Sequence, residues 1–277
     1  GLVGSEMCIR DRVQWSVAGK NAATADLASA NAYASVDHNG VVTGKKIGNA
    51  TIVAVYQGQK IKRKIHIAGK KKIALDAGHQ SRGDSRKEPV GPGSSVRKAR
   101  VAGGATGVAS RVPEYKFTLS VAKRLQKELK KRGYEVYMVR TKNNVNISNK
   151  KRAMLANKSG ADIYIRIHGD SSGSRGVKGA SIFYPSARNP YVSRLSRSSK
   201  RLSKKLLNAY CKKTGIKKRG CSGRDDLTGT NWSKIPVTLI ECGFLSNPSE
   251  DRKLQNKSFQ KKMAVGMANG VDAYFGY

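Results

Sequence analysis

Acidic residues are scarce in this sequence: 18 Asp and Glu stand against 54 Lys and Arg, a formal net charge of +36 that excludes an electrically balanced surface. Long hydrophobic runs are missing as well. The 38% of apolar residues come in short periodic stretches, which excludes a helix of the roughly 20 apolar residues a bilayer requires. Aromatics make up only 6%, and there is neither RNP-like stacking text nor zinc-knuckle spacing, so no nucleic-acid partner is expected in spite of the charge. The four cysteines, at 8, 211, 221 and 242, form no CxxC pair. That leaves no thiolate cluster or dithiol motif, only Cys211 and Cys221 as a candidate disulfide. Histidine is nearly as rare, with His38, His66, His79 and His168 the full set.

The positive charge is unevenly placed. From Lys70 onward there are 45 Lys and Arg against 14 Asp and Glu; before it, 9 against 4. A field of that size gathers polyanions and weakens as salt is added. Nucleic acid, anionic lipid and phosphate-rich wall polymers all qualify by charge alone, as does a plainly self-repelling surface. At 277 residues the chain exceeds the usual single domain, so two units are expected.

Residues 1–12, GLVGSEMCIRDR, follow neither a strand nor a helix pattern and lack the layout of a signal peptide, so they read as a non-native segment. From Val13 to Ala68 short β-like runs alternate with turns. Val13–Val17, Ala34–Val36, Val41–Thr43, Thr51–Tyr56 and Ile61–Ile67 are predicted strands, with turns at Asn39-Gly40 and Gly58. VQWS and SVDHNGVVTGKKIGNATIVAVY resemble the later half of a group 2 bacterial immunoglobulin-like domain, which implies an incomplete small β-sandwich at 13–68. Residues 69–72 form a basic joint.

After the joint, strands alternate with helices. Ile73–Leu75, Glu135–Val139, Asp162–Ile167, Lys178–Tyr184 and Pro236–Ile240 read as strands. Helices are predicted from Glu114 to Gly133, over Ser148–Lys158, over Tyr191–Lys212 and at the C-terminus. Residues 80–113 read as one long Gly-, Ser-, Arg- and Pro-rich loop. The order predicts an α/β fold at 73–277, a mostly parallel sheet flanked by helices with active groups beyond the strand ends.

Three polar groups follow three of these strands directly: His79 after IALDAG, His168 after IYIRI and Glu241 after PVTLI. Glu114 opens the first helix. Each alone has a bland reading, a hydrogen-bonded loop histidine or a carboxylate set against a helix dipole. Together they offer imidazole nitrogens and carboxylate oxygens, which suit zinc held by three protein groups with a fourth position open.

DAGH at 76–79, PEY at 113–115, RAMLANKSGADIYIRIH at 152–168 and IPVTLIECGFLSNPSED at 235–251 are similar to the zinc-dependent N-acetylmuramoyl-L-alanine amidases of the type 3 family. The match runs in order from about Lys72 to Tyr277. The resemblance implies that His79, Glu114 and His168 bind zinc and that Glu241 is catalytic, relaying a proton from water to the departing L-alanine amine. It implies a peptidoglycan hydrolase, secreted and acting in the cell wall, with anionic wall polymers as further partners. Two departures stand out: Gly169-Asp170-Ser171-Ser172 replaces the Asn-containing text usual after the IH motif, and the 80–112 loop is longer than in compact members.

Around this centre, Asp76 reads either as a support for a ligand histidine or as the end of a strand. The stretch from Asp226 to Trp232 reads as groove lining or loop packing, and Arg166 as a carboxylate contact or a solvent-facing residue. The rival functions are a basic nucleic-acid- or wall-polymer-binding protein without catalysis and a zinc peptidase of other specificity.

Overall fold

The computed structural model describes residues 13–18, 33–45, 48–67 and 69–277, and the chain divides into two compact units, Gly1–Lys70 and Lys71–Tyr277. The segment 1–12 and Cys8 lie outside the described residues.

In the first unit β1 (Gln14–Ala18), β4 (Gly48–Tyr56) and β5 (Gln59–Ile67) form an antiparallel sheet in the order β1-β4-β5. Gln57 and Gly58 both have positive φ, 47° and 78°, as a two-residue hairpin with the right-handed twist of its strands requires. β2 (Ala34–Val36) pairs with β3 (Val42–Gly44) around a turn in which the Asp37 carboxylate accepts the Asn39 and Val41 amides. Val17, Ala34, Ala50 and Ile52 are the buried centre of a small core.

The second unit is built on six strands: β6 (Lys72–Ala77), β9 (Glu135–Met138), β10 (Ile163–Asp170), β11 (Ala180–Tyr184), β12 (Lys218–Gly223) and β13 (Val237–Phe244). Their order is β12-β11-β13-β10-β6-β9, and only the β11–β13 pairing is antiparallel. Ile163, Ile165 and Ile167 of β10 point to the face covered by α1 (Glu114–Lys131), α3 (Ser196–Thr214) and α6 (Lys257–Phe275). In α1 the predicted stripe Phe117, Val121, Leu125 and Leu129 is buried throughout. Gly270 lets α6 lie close on α3, since a Cβ there would come within 2.5 Å of the Leu206 backbone. The opposite face buries Ala74, Tyr164 and Val237 beneath α2 (Asn149–Lys158) and the single turn α4 (Thr228–Asn231).

Several details differ from the sequence expectation. The 80–113 segment is not one loop: β7 (Asp84–Pro89) and β8 (Arg97–Val101) form a hairpin, hidden from periodicity because DSRKEP and RKARV carry charge on both faces. The KRGCSG strand β12 lacks an apolar run and exists through its pairing with β11. The third helix begins with a 3-10 turn at Ser193–Leu195, and α5 (Pro248–Gln255), capped by the Asn247 side chain, precedes the last helix. Cys211, Cys221 and Cys242 are free thiols, so the candidate disulfide is not formed.

Candidate metal centre and cleft

β6 ends at Ala77, and the chain passes through Gly78 into His79, whose φ of 59° lies in the left-handed region that non-glycine residues seldom occupy. Two buried arginines hold it there. Arg140 donates to the Ala77 and Gly78 carbonyls at 2.7 and 3.0 Å; Arg152 donates to the Ala77 and His79 carbonyls at 2.9 and 2.8 Å. The His79 Nδ1–H donates to the Ala102 carbonyl, just beyond β8, at 2.8 Å, which turns the Nε2 lone pair inward.

Asp76 binds neither histidine. Its fully buried carboxylate accepts from Arg152 Nη1 at 2.6 Å, Tyr164 Oη at 2.9 Å and Arg166 Nε at 3.1 Å. Burial by itself would raise this carboxyl, but the two guanidiniums hold it well below the usual carboxylate range. Arg166 is therefore buried and already paired, not solvent-facing.

Glu114 opens α1 with both oxygens used: Oε2 accepts the Ala105 amide and Oε1 the Gly169 amide. Burial works against its charge, while His168 and His79 beside it bring the carboxyl well below its ordinary range. His168 Nδ1 lies 3.1 Å from Glu114 Oε1 and 3.1 Å from His79 Nε2, and His79 Nε2 lies 3.2 Å from Glu114 Oε2. Burial pushes the His168 imidazole down to about 4, so it is neutral at physiological pH.

Among the described residues, these three make the one group of at least three side chains whose ligand atoms could hold a metal ion. The donor set fits. One ligand atom from each of His79, Glu114 and His168 lies within 4.8 Å of the other two, and the two imidazole nitrogens are 3.1 Å apart, close to the roughly 3.3 Å edge of a tetrahedron with bonds of about 2.0–2.1 Å.

Glu241 sits opposite His168 in the parallel β10/β13 register. Its Oε2 is buried without a hydrogen-bond partner. Burial, reinforced by Glu114 and Asp170, pushes its carboxyl well above the ordinary range, so Glu241 is disposed to hold a proton.

A cavity of about 240 Å³ opens beside the histidines, walled by Arg166, Leu239, Arg224 and the Leu227–Gly229 segment, with Lys98 and Ala102 from the hairpin side. Trp232 supports this wall from behind: its indole N–H donates to the Pro89 carbonyl while Lys150 lies 4.1 Å over its ring. The 226–232 stretch thus supplies both groove lining and loop packing. Sequence reasoning missed Arg140 and Arg152. Arg152 stood in the RAMLANKSGAD text on the helix face that buries Ala153 and Ala156, a signal for a buried charge.

A parallel-rich α/β sheet with a His-Glu-His centre at its strand exits defines the class of this unit. Residues 73–273 match the family description N-acetylmuramoyl-L-alanine amidase. A probable cell wall amidase, LytH of Staphylococcus aureus, is 25% identical over 178 residues, 62% of this chain and 55% of its own length; the chain thus spans about half the length of the curated relatives it matches. The catalytic domain of CwlV, an N-acetylmuramoyl-L-alanine amidase of Paenibacillus polymyxa, superposes with a TM-score of 0.60 at 25% identity, covering 74% of this chain and 98% of that one. The apo form of an amidase from Mycobacterium abscessus gives a TM-score of 0.68 at 26% identity over 76% and 100%. The chain belongs to the N-acetylmuramoyl-L-alanine amidase family.

Proposed function

We propose that this chain is a zinc-dependent hydrolase of peptidoglycan that cleaves the amide between N-acetylmuramic acid and L-alanine, with His79, Glu114 and His168 as the zinc ligands and Glu241 as the catalytic proton carrier. The observation that carries this reading is the convergence of the three donors within hydrogen-bond distance of one another, beside a carboxyl with an unpartnered buried oxygen. When bound, zinc supplies Lewis-acid activation of water at neutral pH. The protein's residues do the rest. Glu241 takes a proton from water and delivers it to the departing amine of L-alanine, a role suited to a carboxyl whose pKa burial has raised. The Ala102 carbonyl fixes the His79 tautomer, and the Arg140 and Arg152 guanidiniums fix its backbone.

The organisation we propose is a non-native segment at 1–12, a partial bacterial immunoglobulin-like domain at 13–68, a joint at 69–72 and the catalytic domain at 73–277. The antiparallel strands and small core of the first unit support the second assignment. The protein acts in the bacterial wall, outside the cell. There its positive charge meets anionic wall polymers. Helix α3 supports this: Arg197, Lys200, Arg201, Lys204 and Lys205 are exposed on a helix without an acidic residue.

Metal analysis combined with mass spectrometry of digested muropeptides tests the assignment. The expected result is about one zinc per chain and release of peptides beginning with L-alanine. Glu241→Gln is expected to keep zinc and lose turnover. Cleavage at a glycosidic or peptide bond, or near-normal activity of Glu241→Gln, would overturn it.

A further inference from the structure

His168 of β10 stands opposite Glu241 of β13, and the next pair along the two strands is Asp170 with Phe244, so β13 uses two residues, Cys242 and Gly243, where β10 uses only Gly169. Glu241 therefore stands directly before a β-bulge, the irregularity that re-aims a side chain and ends pairing. Gly243 carries the kink with a φ of 153°, which residues with a side chain rarely adopt. The ladder opens on the other flank as well. β11 pairs antiparallel with β13 from Phe183–Leu239 to Ser181–Glu241 and no further, although the same register would run on to Ala180–Cys242 and Gly179–Gly243.

Such an opening leaves buried backbone groups in want of partners, and two buried side chains supply them. Tyr210 of α3 donates its hydroxyl to the Cys242 carbonyl at 2.7 Å. Glu250 of α5 accepts the Gly179 amide on both carboxylate oxygens, at 2.9 and 3.1 Å, and the Phe244 amide at 2.8 Å. One carboxylate thus joins the two strands where their own ladder has stopped. Helix capping does not account for it. Glu250 is the third residue of α5, the position from which a Glu commonly turns back onto the N-cap amide. Here the Asn247 amide goes to the Phe244 carbonyl at 3.2 Å, and the Glu250 carboxylate reaches the strands. A Cβ on Gly243 would lie 3.1 Å from Glu250 Oε2, so the carboxylate packs directly on the kink.

Resting on the proposed role of Glu241 as proton carrier, we infer that Glu250 and Tyr210 are positioning residues for the reaction: from two different helices they fix the bulge that follows Glu241, and so aim its carboxyl at the centre on the His168 side of the sheet. No hydrogen bond steers the buried Oε2 of Glu241, so its direction is set by the backbone that carries it. Both residues act through that backbone.

The test uses the zinc-loaded full chain with a muramyl peptide as substrate. Glu250→Gln keeps the size but sets an NH2 group against a backbone N–H, and Tyr210→Phe removes only the hydroxyl. Each is expected to lower kcat about 10–100-fold, as for a reacting group displaced by about 1 Å, with KM and zinc content unchanged. A merely structural role would not give that split, and its cost would add to any other lesion. In the Glu241→Gln background the same substitutions are therefore expected to change the residual kcat by about twofold or less, because the group they aim is already gone. Crystals of zinc-bound Glu250→Gln are expected to show the Glu241 carboxyl turned from its wild-type place and the three ligands unmoved. A turned Glu241 in a variant of wild-type kcat refutes the proton-carrier reading and keeps the positioning role. Wild-type kcat with Glu241 in place, a fall in kcat that tracks loss of zinc, or an undiminished fall in the Glu241→Gln background overturns the inference.

Discussion

Arg152 makes four hydrogen bonds to the turn that carries His79, to Asp76 at 2.6 Å, to the carbonyls of Ala77 and His79 and to Gln80 Oε1, and its fifth donor goes to the Ile147 carbonyl, with neither Arg152 nor Asp76 exposed. Removing one partner of a buried ion pair strands the other. Arg152→Ala is therefore expected to cost about 3–5 kcal/mol of stability, read by chemical denaturation. Arg152→Lys keeps the charge but not the fork, and is expected to weaken zinc binding about 10–100-fold in a competition titration. Wild-type zinc affinity in the lysine variant would show that the guanidinium does not orient His79.

The centre should be sensitive to added volume in its glycines. A Cβ on Gly78 would meet three atoms of the His168 ring at 2.3–2.6 Å. Gly78→Ala is expected to lose zinc by tenfold or more, since displaced ligands cannot keep bond lengths that tolerate only about 0.2 Å. Crystals of the variant with His168 in place and zinc bound would refute this.

Metal ligation makes a separate claim. His79→Ala, Glu114→Gln and His168→Ala are each expected to reduce the zinc content of purified protein to a small fraction of one, because loss of even the groups that support ligands costs about 10–100-fold. Full zinc content in any one of them would remove that residue from the ligand set.

In the metal-free protein His168 makes a contribution to stability that acidification removes. His168, pushed down to about 4 by burial, binds fewer protons folded than unfolded. Its contribution is fully present above an unfolded value of about 6.5 and is lost as the pH falls from there towards 4. Thermal melts of chelator-treated protein are expected to show a Tm that falls more, or rises less, on acidification through that window in the wild type than in His168→Gln, Glu241 contributing the opposite slope to both. Equal pH slopes for the two proteins would contradict this.

Cys211 is half-buried, and burial pushes its thiol up to about 11. At pH 8 roughly a thousandth of it is thiolate, against about a quarter for an unperturbed thiol. Native alkylation with iodoacetamide is expected to be slow, and fast once the chain is unfolded, as mass spectrometry can follow. Rapid native labelling of Cys211 would contradict its burial.

The local pattern of the sequence was enough to place β6, β10 and β13, because a buried parallel strand reads as a short, mostly apolar run with a polar group after it, although β10 and β13 continue past His168 and Glu241 to Asp170 and Phe244. His79, His168 and Glu241 were legible for that reason. The stripe of α1 was legible too, since a helix on a sheet repeats its apolar residues every three or four positions. Non-local pairing left less trace. β12 is held by β11, the 84–101 hairpin carries charge on both faces, and Asp76 finds Arg152 and Arg166 at separations of 76 and 90 residues. Nothing in a neighbouring residue specifies such contacts. Sequence alone determined which groups could meet a metal; the tertiary structure decided that two arginines would hold the DAGH turn, because a buried guanidinium finds its carbonyl and carboxylate partners only when distant segments pack together.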